Sequence, residues 1–558
     1  MAVAVYLIRI LLRALVYPLR LLGRAPDYVL LTLGGDYPDL PAPKEGFVRR
    51  RLMPRKTSLF ELGRRLEHVA GDRRVRGVVL HLCGPRLSMA QIQTVRGFIA
   101  DLRARGKRVV TWAPDYDMAT YYLAAAADEI LSPRGGSIFQ LGLSRSHVFL
   151  GDLLERVGLQ ADFVQISPYK TAGDMLTRTG MSEEARKMAD WLLDDAFTTI
   201  TQDLTRDRET DVETVKRLID GAPYTDEAAR AAGAIDGILN EEELPAHLGS
   251  SGRPARLVPY AACRRSLLPR PPDHPGGYVA VVRVAGTIVD GRSSRPPVKP
   301  PFDLPFLLSE RAGDLSVVQQ LRQALADRRA KAVVLFVDSG GGSATSSEAI
   351  ASAISRVREQ KPVVVCMATV AASGGYYVAA PASHIVAQPG TITGSIGVVF
   401  GKLVDVKLFE KLLVHREVLQ RGESATLFAS SHPLTGEERA RLLHLIQHAY
   451  DQFLDRVANG RKMSSEAVDA IGGGRVWTGR QALENGLVDE LGGLDAALAK
   501  ARKLGGLHPR SRVREIPFPK GDRLGVPSPV ALFSYVKDGA DQFRRARALY
   551  LCPLIRSE

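Results

Sequence analysis

The stretch VRGVVLHLCGPRLSMAQIQTVRGFIADLRARGKRVV, residues 75–110, returns in altered form as AKAVVLFVDSGGGSATSSEAIASAISRVREQKPVVV, residues 330–365. Each copy reads as an apolar strand, a turn, an amphipathic helix and a second strand, because an aliphatic run gives way to helical spacing and then resumes. The likeness continues outward. YYLAAAADEIL (121–131) matches YYVAAPASHIV (376–386), MSEEARKM (181–188) matches TGEERARL (435–442), and YTDEAARAAGAID (224–236) matches WTGRQALENGLVD (477–489). The offset holds at about 255 residues throughout, which marks a duplication rather than chance periodicity. Strands alternating with helices in both halves predict an α/β fold built twice.

The 558 residues, 45% hydrophobic and 24% charged, read as a folded chain of more than one domain. A net charge of +14 suits an anionic partner, either membrane lipid or nucleic acid. Nucleic acid is not expected, since zinc spacing, an RNP-like aromatic pattern and a basic region with heptads are all missing. Most of the scattered arginine reads as solvated surface. Cys83, Cys263, Cys366 and Cys552 lie far apart without a CxxC pair, and Cys366 inside VVVCM reads as a buried structural thiol.

The segment MAVAVYLIRILLRALVYPLRLLGR places Arg9, Arg13, Arg20 and Arg24 on one helical stripe. It lacks the roughly 20 mostly uncharged residues of a spanning helix, and no small-residue cleavage site follows. Residues 1–24 are therefore expected to form an amphipathic membrane anchor with arginines toward the headgroups. An amphipathic helix docked on the protein's own core is the alternative. The expected organisation continues with a first repeat over 25–250, a Pro/Arg/Gly-rich linker over 251–277, a second repeat over 278–505 and a tail over 506–558. The Pro-rich piece GRSSRPPVKPPFDLP (291–305) is expected to be a mobile surface loop. The tail has no counterpart in the first copy, and its PSPVALFSYV segment suits contact with membrane or a neighbouring subunit.

Chemistry concentrates in the second copy. VVLFVDSGGG (333–342) is a strand that ends in three glycines before a helical pattern, so backbone N–H groups can approach an anion closely. The anion could be a phosphate, although P-loop and GxGxxG spacings are absent, or the oxyanion of a tetrahedral intermediate. In ATVAASGGYYVAAPASHIVAQPG (368–390), Ser373 falls where a strand ends and a helix begins, with Gly374 as a further donor. Taken alone, such a serine more often packs than reacts. His384, eleven residues on, is expected to point away from it.

Three ordered motifs, DSGGGSATSSEAI, ATVAASGGYYVAAPASHIVAQPGTITGSIGVVF and VWTGRQALENGLVDELGG, resemble signal peptide peptidase A (protease IV), a family of membrane-bound serine peptidases. The duplicated layout over about residues 50–505 is similar to that family's long form. The resemblance implies two tandem ClpP/crotonase-like repeats in one chain. It also implies Ser373 as nucleophile and Gly342 and Gly374 as oxyanion donors. The family's base is a lysine in a Y-K-S-A motif of the first repeat. That carries over to Lys170 in SPYKTAGDM, with Thr171 replacing the serine. Ser395, in TGSIG, would orient the lysine amine. One departure is the SGGG at 339–342, where Gly340 stands for the family's proline without removing an N–H donor.

A lysine near its ordinary pKa of about 10.4 holds its proton at neutral pH, so this role requires burial. The repeats supply a check. Opposite Ser373 stands Met118, opposite Gly342 stands Leu87, and opposite Lys170 stands Ser424. Each copy lacks what the other carries, which fits one composite site. The implied activity is a membrane-associated serine endopeptidase with a Ser–Lys dyad that degrades cleaved signal peptides and similar apolar peptides, needing no metal or cofactor. The implied setting is a homo-oligomer, a tetramer, on the periplasmic face of a bacterial inner membrane. A crotonase-like acyl-CoA enzyme and an inactive peptide-binding scaffold are the rival readings.

Overall fold

The computed structural model describes residues 2–41, 56–139, 141–250, 252–296, 307–518, 529–546 and 548–553. Residues 297–305 of the Pro-rich piece, and 527–528 at the start of the tail segment, lie outside the described residues.

The two quoted stretches take the same place in two sheets of the same order. In the first, the parallel strands run Leu257–Pro259, Tyr28–Asp36, Gly77–Arg86, Arg108–Trp112, Glu129–Ser132 and Gly237–Ile238. In the second the matching strands run Ser511–Glu515, His274–Ala285, Ala330–Ser339, Val363–Ala372, His384–Ala387 and Glu490–Leu491, again all parallel, while Ile392–Gly394 and the antiparallel Val476–Thr478 branch from Val363–Ala372. The central strands are buried almost throughout, which is why AVVLFV and VVVCM read as continuous apolar runs instead of alternating ones. Cys366 is buried there, as expected. Over the second sheet lies the helix Ala344–Arg358, which buries Ser346, Ser347, Ile350, Ala351, Ile354 and Val357 on one face. Each of its buried aliphatic side chains contributes about 1.5–3 kcal/mol relative to exposure.

Two short strands depart from the sequence expectation. Leu257–Pro259 falls in the stretch expected as linker, and Ser511–Glu515 falls in the tail expected to lack a counterpart. They are counterparts of each other, each pairing beside the first strand of its sheet. Strands of three and five residues with charged or proline neighbours are too short to register as periodicity.

A third sheet joins the copies. Its order is Arg311–Gly313, Thr287–Val289, Gly341–Ser343, Leu549–Leu551, Val399–Val404 and Gln160–Gln165. The last strand belongs to the first repeat and pairs antiparallel with the second repeat over six residues, from Gln165 opposite Val399 to Gln160 opposite Val404. Beyond it the long helix Glu183–Asp207 lies against the second copy, with Trp191 stacked on Trp477 at 5.2 Å. Direct hydrogen bonds, Ser88 to Thr369 at 2.8 Å and Gly390 N–H to Gln93 at 2.8 Å, tie the repeats elsewhere.

The N-terminal segment forms the expected helix, Ala2–Leu22, but with its faces reversed. Arg13 and Arg20 donate to the carbonyls of Pro269 and Leu267 at 3.1 and 2.8 Å, and Tyr6 rests near the His274 ring. Leu11, Leu15, Leu19 and Leu22 are left exposed. The Pro269 and Leu267 carbonyls accept these guanidinium donors, so two of the striped arginines face the body. Among the described residues, no helix is long and apolar enough to cross a membrane.

Candidate active site

Ser373 follows the strand Val363–Ala372 directly, and its N–H donates to the Gly394 carbonyl at 2.7 Å. Its φ is +54°, a conformation uncommon for a residue with a side chain and one that persists only when the surroundings impose it. Ser395 has φ +51° and is pinned by its N–H to the Arg475 carbonyl at 2.6 Å. The helix Gly374–Ala379 starts immediately after Ser373, whose hydroxyl makes no capping bond to it.

Lys170 reaches this point from the other repeat. The strand Gln160–Gln165 delivers the chain to the second copy, and the turn after it is closed by Lys170 N–H to Ser167 O at 3.1 Å. The Ser167 hydroxyl in turn donates to the Gly473 carbonyl. A Cβ on Gly474 would stand 2.6 Å from the Lys170 nitrogen, so the turn can dock only on a bare backbone. The run IGGGR at 471–475 therefore admits the lysine, a role the sequence reading missed. Its one visible signal was three glycines one residue before VWTG.

The Lys170 amine lies 2.7 Å from Ser373 Oγ, 2.9 Å from Ser395 Oγ and 2.8 Å from the Ser395 carbonyl oxygen. All three residues are fully buried. Burial disfavours the ammonium and draws the lysine pKa from 10.5 down to about 7, against a smaller opposing influence from Cys552. A neutral amine has two N–H bonds and one lone pair. With the two oxygens of Ser395 accepting the N–H bonds, the lone pair is left to face the Ser373 hydroxyl.

The glycine turn lies alongside. Gly341 has φ +104°, and its N–H donates to Ser339 Oγ at 3.1 Å. Gly340 and Ala344 both bond outward, toward the strand Leu549–Leu551, through Cys552 N–H to Gly340 O and Ala344 N–H to Ala548 O. Residues two apart on a strand bond to the same side, so the Gly342 N–H points the same way. Gly374 abuts it, since a Cβ there would lie 3.2 Å from Gly342 N and 2.8 Å from Ser347 Oγ. The Gly342 nitrogen thus lies beside Gly374, the residue that follows Ser373. Ser373, Lys170, Ser395, Gly342 and Gly374 are brought together.

The remaining candidates lie elsewhere. The His384 ring is held by Glu490 at 2.9 Å. In the first copy, Met118 is buried and its sulfur accepts from Gly142 N–H at 3.3 Å, while Leu87 packs against that repeat's core. Ser424 is exposed and accepts from Arg441 at 2.7 Å.

Comparison with known proteins agrees with the duplication. Residues 101–250 and 355–508, one segment in each repeat, match the family model for Peptidase family S49. The chain is 32% identical over 459 residues to the chloroplastic serine protease SPPA of Arabidopsis thaliana, covering 80% of this chain and 65% of that protein. It is 30% identical over 475 residues to Protease 4 of Haemophilus influenzae, covering 81% and 74%, and 29% identical over 500 residues to Protease 4 of Salmonella typhi, covering 85% and 78%. The match to the chloroplastic relative thus spans just under two thirds of that protein's length. The class these matches define is that of a serine protease. Within it, the chain belongs to peptidase family S49.

Proposed function

We propose that the chain is an endopeptidase working through a Ser–Lys dyad, with the serine and the lysine supplied by different repeats. Ser373 Oγ attacks the scissile carbonyl while Lys170 Nζ takes its proton. The tetrahedral oxyanion forms against the N–H groups of Gly342 and Gly374. Lys170 then gives the proton to the leaving amine, and water, activated by the same amine, releases the acyl group from Ser373. Ser395 holds the amine in line. The observation that carries this reading is the fully buried Lys170 amine 2.7 Å from Ser373 Oγ. Its test is the hydrolysis of a signal-peptide-like substrate by Ser373→Ala and Lys170→Ala. Each is expected to lose about 10³-fold or more in kcat, and full activity in either would overturn the dyad.

The substrates in this reading are cleaved signal peptides and similar apolar peptides, met at the inner membrane of a bacterium on its periplasmic face. What supports a membrane setting is the exposed leucine face of Ala2–Leu22, which the arginine contacts turn away from the body. Removal of residues 1–24 is expected to abolish co-flotation with lipid vesicles and to leave hydrolysis of a soluble peptide unchanged. The oligomer in this reading is the tetramer implied by the resemblance, with each chain carrying one complete dyad. Its mass in solution is measurable by light scattering.

A further inference from the structure

A base must keep its amine close to the hydroxyl it serves, since a displacement of about 1 Å can cost about 10²-fold in rate. Gly474 receives the Lys170 backbone on one side. What holds the other side is found in Gln160–Gln165, the strand that crosses to the second repeat. There Phe163 stands opposite Gly401 of Val399–Val404. A Cβ on Gly401 would collide with the Phe163 ring, and a Cβ on Gly173 would stand 2.8 Å from its Cγ. The ring therefore occupies the space that a side chain at either glycine would need. Gly173 ends the short turn Thr171–Gly173, which starts directly after Lys170. One aromatic ring thus rests against both the lysine's turn and the strand beside it.

The ring is itself fixed in place. The carboxylate of the preceding residue, Asp162, is buried and accepts from Leu434 N–H at 2.7 Å and from Arg439 at 2.6 Å. Arg439 also donates to the Phe163 carbonyl at 2.7 Å. These bonds run from the first repeat to the second, so they seat the strand on the body that carries Ser373. Phe163 and Ala172 pack on the same apolar cluster, which includes Val289 and Val399. Gly173 has φ −83°, a conformation open to any residue. Its backbone therefore does not call for glycine; the ring does.

We propose that Phe163 is a positioning residue for the dyad: its ring, seated over Gly401, sets where Gly173 comes to rest and thereby holds the Lys170 amine within reach of Ser373 Oγ. Phe163 acts through the turn. The proposal rests on Lys170 as the base, and it gives the glycines at 173 and 401 a common reason.

The test uses the full-length enzyme and a fluorogenic signal-peptide-like substrate, with Lys170→Ala measured in parallel. Phe163→Ala is expected to lower kcat about 10²-fold with KM unchanged, the loss that a shift of about 1 Å produces. The acidic limb of its kcat/KM profile should move to higher pH, because a loosened turn lets water reach the amine and favours the ammonium. Gly173→Ala supplies the second reading. Its backbone tolerates alanine but the methyl meets the ring, so kcat should fall about tenfold. In the Phe163→Ala background the same methyl meets no ring and should cause no further loss, a non-additivity that two independent destabilisations do not produce. Gly173→Ala decides alone where Phe163→Ala does not fold. A parental kcat in Gly173→Ala, or a folded Phe163→Ala with parental kcat and acidic limb, would overturn the positioning role. Full activity in Lys170→Ala would instead overturn the dyad beneath it.

Discussion

The two repeats start the same helix in opposite ways. In the first, Asp117 caps Met118–Ala124. Its carboxylate accepts from Thr120 N–H at 2.8 Å, and Thr120 Oγ1 accepts in return from Asp117 N–H at 3.3 Å. In the second, Ser373 stands before Gly374–Ala379 with φ +54° and leaves that helix without a side-chain cap. The same tyrosine pair follows, Tyr121–Tyr122 in one copy and Tyr376–Tyr377 in the other, all four buried. A cap of this kind contributes about 1 kcal/mol. The first copy keeps that stabilisation, whereas the second gives it up. Its hydroxyl meets an amine instead, and its helix starts without a side-chain cap. Duplication allowed this split, since one copy could retain the fold's ordinary solution while the other held a strained one.

The most direct way to break the contrast is to crowd the open helix start. Gly374→Ala puts a methyl group 2.8 Å from Ser347 Oγ and 3.2 Å from Gly342 N, where the two donors meet. Loss of one oxyanion donor typically lowers kcat about 10²–10³-fold. We expect a fall of that size with the circular dichroism spectrum unchanged. A kcat within threefold of the parent would mean that Gly374 N–H does not face the developing charge.

Acidity is the next lever. With the Lys170 pKa at about 7, kcat/KM should fall about tenfold per pH unit below that value, as the amine becomes protonated. Ser395→Ala should lower kcat about tenfold with KM unchanged and shift the acidic limb, because the amine loses one of its oxygen partners. A serine that only packs would leave the limb in place. Folding responds with a defined sign. The folded pKa is lowered, so between about pH 7 and 10.5 the unfolded chain binds a proton that the folded chain does not, and stability rises with pH across that window. Lys170→Met removes the dependence. Its denaturation midpoint should exceed the parent's most at pH 7 and least near pH 10.5.

How much of this was legible beforehand follows from what each feature is made of. Aliphatic runs and repeat spacing revealed both sheets, because a strand buried on both faces writes itself as AVVLFV or VVVCM. The chemistry of Ser373 and Lys170 was not legible from either residue alone; it needed the second copy and the family motifs. Neither positive φ was visible, since Ser373 and Ser395 are residue types found in any turn. Gly474 was missed because its function is an absence, the side chain that would strike the Lys170 backbone. The tail strand Leu549–Leu551 escaped for a simpler reason. Its pairing partners lie about 150 and 200 residues away, and three residues carry no period.

The smallest expected effect on activity tests the asymmetry from the other side. Met118 stands opposite Ser373, so Met118→Ser restores the hydroxyl to the first copy. In a Ser373→Ala background we expect no hydrolysis to return. Asp117 already satisfies the helix start there, Leu87 replaces the glycine turn, and the residue opposite Lys170 is the exposed Ser424. Stability should fall by roughly 2–4 kcal/mol, the ordinary result of emptying a buried methionine site. Peptide hydrolysis by the double variant would show that the first repeat holds a latent site of its own, and the division of labour between the copies would be wrong. Lost stability without regained activity is what a single composite site requires, since the serine is the least of what the first copy lacks.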